Sequence, residues 1–119
     1  MKHLFLPYEL ALMLKEKGFN EPCLGRYRDK KFQLYSVIKE HCYNSDPISN
    51  KDISAPLYQQ VIDWFREKHN IMIELHWQEG TQNYSFCYGY KAGKWFFPKE
   101  TLNYYPAYSQ AIEEALKLI

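Results

Sequence analysis

The sequence predicts an α+β fold: a two-layer sandwich with an antiparallel sheet of about five strands and three helices on one face, in the order α-ββ-α-βββ-α. Three observations lead there. Ser54 to His69 (SAPLYQQVIDWFREKH) repeats its apolar residues at helical spacing. After the single Asn70, Ile71 to Gln78 (IMIELHWQ) alternates strictly between apolar and polar, the period of a strand. Tyr84 to Tyr90 resumes that period after a short Gly-containing loop, and consecutive strands joined by short loops pair antiparallel. At 119 residues the chain has the size of one domain with one core, 1–119.

The first helix is read over Pro7 to Lys17. Proline opens it, and Leu6, Leu10, Met13 and Leu14 share a face. Gly18 supplies the left-handed residue that stops it, and Phe19 then meets Leu14 across the helix end. Leu24 to Arg28 and Phe32 to Ile38 read as a hairpin around Asp29, Lys30 and Lys31, with Phe32, Leu34, Ser36 and Ile38 on one face. Residues 39–52 are rich in turn formers and read as a long crossover loop, with a functional loop as the alternative.

In the second helix Ser54 is the expected N-cap, and Pro56 sits in the first turn. Leu57, Tyr58, Val61, Ile62, Trp64 and Phe65 fall within an arc of about 160°, opposite Gln59, Asp63, Arg66 and Glu67, so the helix is expected to lie flat on a sheet. Lys68 and His69 complement the helix dipole, and Asn70 takes a left-handed exit. In the next strand Ile71, Ile73, Leu75 and Trp77 point one way, with Met72, Glu74, His76 and Gln78 opposite. Glu79 to Asn83 is a five-residue hairpin loop, Ala92 and Gly93 turn into a short strand at Lys94 to Phe97, and Pro98 to Tyr105 is a loop. Pro106 starts the last helix, with Tyr108, Ala111, Ile112, Ala115, Leu116 and Ile119 on its apolar face.

Composition excludes several classes of function. Fifteen basic against fourteen acidic side chains leave a net charge of +1, which is no footprint of a strong binder of nucleic acid or acidic membrane. Lys15, Lys17, Arg26, Arg28, Lys30 and Lys31 are close in sequence but read as a solvated face. Cys23, Cys42 and Cys87 are odd in number and lack CxxC spacing, which points to reduced thiols and a cytoplasmic setting rather than disulfides. Pro7 and Glu9 interrupt the apolar run MKHLFLPYELALML, so it reads as a helix of the fold, not as a signal or a membrane span.

The segments APLYQQVIDWFREKHNIMIEL, YYPAYSQAIEEALKLI and FLPYELALMLKEKGF together resemble a group of small uncharacterised proteins of gut Bacteroides-type bacteria and their prophages or mobile elements. The resemblance covers about half of the chain. It implies a bacterial or phage-like, intracellular origin and carries no catalytic motif.

No GxGxxG, P-loop or HExxH is present, and no cofactor is expected. His3, His41, His69 and His76 are scattered, without a second ligand pair at zinc spacing, so no metal site is expected from spacing alone. If the hairpin after Gln78 closes regularly, Gln78 opposes Asn83, Glu74 faces Cys87 and His76 faces Ser85. Glu74, His76 and Cys87 then gather on the face away from the aromatic one, the composition of a thiol activated by an imidazole.

The aromatic content, 18% of the chain, exceeds what the helix stripes use: Tyr27, Tyr35, Tyr43, Tyr104 and Tyr105 are left over. Surplus Tyr beside Arg26 and Arg28 is the composition of a protein interface. The leading reading is therefore a non-enzymatic binding module acting on another protein or a second copy of itself. The alternatives are a nucleic-acid-binding accessory that stacks bases on these tyrosines beside Arg26 and Arg28, and a small enzyme using Cys87 and His76.

Overall fold

The computed structural model describes residues 2–34, 43–45, 51–80, 83–90, 94–96 and 103–119. Among these, positive φ marks the corners of the chain at Gly18 (90°), Asp29 (51°), Lys30 (65°) and Asn70 (56°). The chain divides into two compact units, Met1–Tyr58 and Gln59–Ile119.

In the first unit a short 3-10 turn at Lys2–Leu4 precedes α1, Tyr8–Glu16. Pro7 is its extended N-cap, so the helix starts one residue later than the sequence suggests. The helix ends in a Schellman motif: the Phe19 N–H donates to the Leu14 carbonyl at 3.0 Å and the Gly18 N–H to the Lys15 carbonyl at 3.1 Å. Leu14 and Phe19 are both fully buried, as their pairing across the helix end predicts.

Strands β1 (Gly25–Arg28) and β2 (Lys31–Leu34) form the expected hairpin, with Arg28 opposite Lys31. The turn is therefore two residues, Asp29 and Lys30, both left-handed as a type I′ turn requires. β2 is described as far as Leu34, and Tyr35, Ser36 and Ile38 lie outside the described residues.

The largest departure from the sequence reading follows. Ile53–Ala55 is a third strand, β3, paired antiparallel with β1 from Gly25↔Ala55 to Tyr27↔Ile53. Ser54 is thus not a helix cap: it is buried, and its N–H donates to Asn44 Oδ1 at 2.9 Å. The physical reason is Pro56, which disfavours helical backbone at Ala55 and leaves the preceding residues extended. Leu57 bridges Phe5, and the Leu6 N–H donates to the Pro56 carbonyl at 2.8 Å, tying the N-terminal segment to the same region. Asn44 also donates to the Phe19 carbonyl at 2.7 Å, so one side chain holds both the exit of α1 and β3.

α1 packs on β3 over a core of Phe5, Ala11, Tyr27, Ile53 and Ala55, with Tyr8, Leu12, Phe32 and Leu57 against it. The Phe5 and Phe32 ring centroids lie 4.9 Å apart, and Tyr27 meets Tyr8 and Phe32 edge-on at 5.5 and 5.7 Å.

The second unit takes up the chain in the first turn of α2, Tyr58–His69. Its expected stripe is buried at Val61, Ile62, Trp64 and Phe65, while Gln59, Arg66 and Glu67 are exposed. Asn70 makes the left-handed exit into β4, Ile71–Gln78. β5 (Asn83–Tyr90) pairs antiparallel with β4, and β6 (Lys94–Phe96) with β5. Gln78 opposes Asn83, so the loop is the four residues 79–82 rather than five.

The last helix, α3 (Tyr104–Leu116), follows the extended N-cap Asn103 and so starts two residues before Pro106. Proline at the third helical position still lies within the turn whose N–H groups have no intrahelical acceptor. Ala107, Ala111, Ile112, Ala115 and Leu116 are buried, and α3 packs on β4 and β5.

Among the described residues the α+β class with three helices therefore stands. Their strands, however, form two three-stranded antiparallel sheets, β2-β1-β3 and β4-β5-β6, where the sequence predicts one sheet of about five. No helix among the described residues is long and apolar enough to cross a membrane.

Candidate functional site

The register of the β4–β5 hairpin decides what its outer face presents. Met72, Glu74, His76 and Gln78 point away from the side on which Ile71 and Ile73 are buried, and on β5 Ser85 and Cys87 share that outer face. Glu74 lies opposite Cys87 and His76 opposite Ser85, the pairing expected from sequence. His76 Nε2 sits 3.2 Å from Cys87 Sγ and 3.5 Å from Glu74 Oε2. One donor atom from each of the three residues falls within 4.8 Å of the other two.

The three differ in depth: Cys87 is buried, while Glu74 and His76 are about half exposed. Burial, and secondarily the Glu74 carboxylate, push the Cys87 thiol above its ordinary value. That direction opposes thiolate nucleophilic catalysis, which requires a depressed thiol.

The opposite face of the same hairpin holds a different feature. Burial fades along β4 from Ile71 and Ile73 through Leu75 to Trp77, which is 52% exposed. Trp77 meets Tyr84 across the strands at 5.2 Å, and Tyr84 meets Tyr104 of α3 at 5.1 Å. Tyr104 in turn contacts Tyr105 and Tyr108, both at 5.0 Å and nearly perpendicular. The result is a continuous run of five rings at the junction of the hairpin with the first turn of α3, with Tyr104 itself 40% exposed. Burial, with the Tyr104 hydroxyl as hydrogen-bond partner, pushes the Tyr108 hydroxyl well above its ordinary range, so it stays protonated.

Sequence reasoning singled out Tyr104 and Tyr105 and missed Trp77, Tyr84 and Tyr108. Strand alternation grouped Trp77 with Ile71, Ile73 and Leu75, and helix periodicity placed Tyr108 on the apolar stripe of the last helix. The signal that α3 begins at Tyr104 was available in Asn103, a favoured N-cap residue.

The remaining candidates fall elsewhere. Tyr27 is 3% exposed and its hydroxyl donates to the Leu6 carbonyl at 2.8 Å; it is a core residue of the first unit, not part of a binding surface. Alternation explains this, because Tyr27 shares the buried face of β1 with Gly25 while Arg26 and Arg28 take the other. Both arginines are held by Asp52. Arg28 grips the carboxylate through Nε (3.1 Å) and a terminal nitrogen (2.8 Å), and Arg26 adds a contact at 3.3 Å. Lys15 Nζ donates to the Asp52 carbonyl oxygen at 3.0 Å. The Arg28 hydrogen bonds, with the charges of both arginines, hold the Asp52 carboxyl below its ordinary value against the opposing effect of burial. Tyr35 lies outside the described residues.

No protein family, no curated protein and no solved structure matches the chain.

Proposed function

We propose that the chain is a protein-binding module whose partner docks on the ring patch of Trp77, Tyr84, Tyr104, Tyr105 and Tyr108. The observation that carries this reading is the linked run of five rings with Trp77 half exposed at one end. Exposed Trp and Tyr supply large contact area with few rotatable bonds to immobilise, and such residues dominate the energetics of protein interfaces. A partner side chain that buries apolar surface or stacks a guanidinium on the indole face fits this chemistry.

The nucleic-acid reading has less support. Rings of this kind also stack on bases, but Arg26 and Arg28 already satisfy Asp52, and the net charge is only +1. The thiol-enzyme reading is weakened by the raised thiol of Cys87. An intracellular role in bacteria or their mobile elements accords with the reduced state of Cys23 and Cys87 and with the resemblance of the chain's ends and middle.

Light scattering over a concentration range and affinity capture from bacterial lysate, each with the wild type and a Trp77→Ala, Tyr104→Ala variant, test the proposal. A dimer or a captured protein lost in the variant supports it. A monomer at every concentration with identical capture by both proteins refutes it, and salt-dependent retention of nucleic acid by both would move the assignment to the alternative.

A further inference from the structure

We infer that Glu74, His76 and Cys87 form a binding site for a divalent transition metal of the Zn2+ type, with one sulfur, one nitrogen and one oxygen ligand. The donor set suits such an ion: thiolate and imidazole favour zinc and its neighbours and disfavour Mg2+ and Ca2+, which take oxygen ligands. The spacing suits it as well. Zn–S bonds of about 2.3 Å and Zn–N or Zn–O bonds of about 2.0–2.2 Å at a tetrahedral centre place donor atoms about 3.3–3.6 Å apart. The nitrogen lies 3.2 Å from the sulfur and 3.5 Å from the carboxylate oxygen, close to that range. The sulfur and the oxygen close the triangle within 4.8 Å, and a rotation about the exposed Glu74 side chain shortens that side.

Depth gives the site its shape. The buried Cys87 sulfur forms the floor, and the exposed Glu74 and His76 form a rim open to solvent, the route by which an ion enters. Charge balances too: a thiolate and a carboxylate offset the two charges of the ion, and the thiol proton passes to solvent as the S–metal bond forms. Three protein ligands leave the fourth tetrahedral position to water. The sulfur and the carboxylate oxygen converge on the same imidazole nitrogen, at 3.2 and 3.5 Å. Sequence spacing conceals the set, because two ligands stand at i and i+2 on β4 and the third arrives from the opposite strand.

Cobalt(II) and Zn2+ titrations of the reduced, metal-free full-length protein test the inference. The expected result is one Co2+ per chain, with the near-ultraviolet sulfur-to-cobalt charge-transfer absorption, displaced by Zn2+. That absorption is lost in Cys87→Ser and kept in Cys23→Ser. His76→Gln and Glu74→Gln alter exposed side chains and retain the fold by circular dichroism, yet weaken Zn2+ binding by at least the roughly 10–100-fold that even outer-shell changes cost. Absence of the charge-transfer absorption at saturating Co2+, its survival in Cys87→Ser, or unchanged affinity in both His76→Gln and Glu74→Gln each overturns the site.

Discussion

Replacing Asp52 by Asn removes the anion that holds Arg26 and Arg28 while keeping the shape of the side chain. The wild-type carboxylate, with its side chain 5% exposed, accepts three guanidinium hydrogen bonds, two of them from Arg28. Hydrogen bonds to charged groups contribute about 1.5–3 kcal/mol when shielded from water, whereas exposed ion pairs contribute about 0–1 kcal/mol. Arg28 is 47% exposed, so its two bonds are discounted toward the lower figure, and Arg26 at 20% keeps more of its value. The sum is about 2 kcal/mol for Asp52→Asn, equivalent to a fall in Tm of about 6–8 °C for a chain of this length. Amide exchange in β1, the strand that carries both arginines, should quicken about 30-fold.

The pH dependence has a definite sign. The folded Asp52 carboxyl is held below its unfolded value, chiefly by Arg28, so the unfolded chain binds the proton more tightly. The stabilisation is complete above the unfolded value of about 3.9 and disappears as pH falls through the folded one. Thermal denaturation of both proteins from pH 7 down into the acid range should therefore give a constant difference above about pH 5 and a narrowing one below about pH 4. A variant within about 0.5 kcal/mol of wild type at pH 7, the usual scatter of surface substitutions, or a difference that does not narrow in acid, would refute the reasoning.

Three further outcomes follow from the first unit. Tyr27→Phe removes the hydroxyl that satisfies the Leu6 carbonyl and should cost about 1–2 kcal/mol in urea denaturation without changing the m-value. Gly25→Ala would place a Cβ 2.9 Å from Phe32 Cε2 and 3.2 Å from the Ala55 backbone oxygen, so a loss of about 1–3 kcal/mol is expected in the same assay. Lys30→Gly relieves left-handed backbone at φ 65° in the type I′ turn and should raise stability by about 0.5–1 kcal/mol; a lower Tm would mean that the contact of Lys30 with the Tyr8 ring, at 6.0 Å, outweighs it.

How much of this molecule was legible depended on the length over which each pattern repeats. α2, β4 and β5 carry long regular periods, and from them the Gln78↔Asn83 register and the meeting of Glu74, His76 and Cys87 followed by geometry. β3 is three residues between Asp52 and Pro56, too short to show alternation, and its pairing with β1 is non-local, so the division into two sheets had no local signature. Asp52 was hidden for the same reason, since its partners lie 24 and 26 residues away. The five-ring patch was half legible: Tyr104 and Tyr105 stood outside the stripes, but a two-residue period cannot show that burial fades before Trp77.

The non-local pairing of β1 with β3 also bears on the route by which the chain folds. The meander of β4, β5 and β6 closes through loops of a few residues, whereas Tyr27 reaches Ile53 only after all of 28–52 has been drawn in. Closure entropy grows with the length of chain enclosed, and non-local contacts slow folding. In a refolding experiment the amides of β4 and β5 should gain protection ahead of those joining β1 to β3. The docking of β3 is thus the late step, and until it occurs the outer edge of β1 stays open as a template for pairing with other chains.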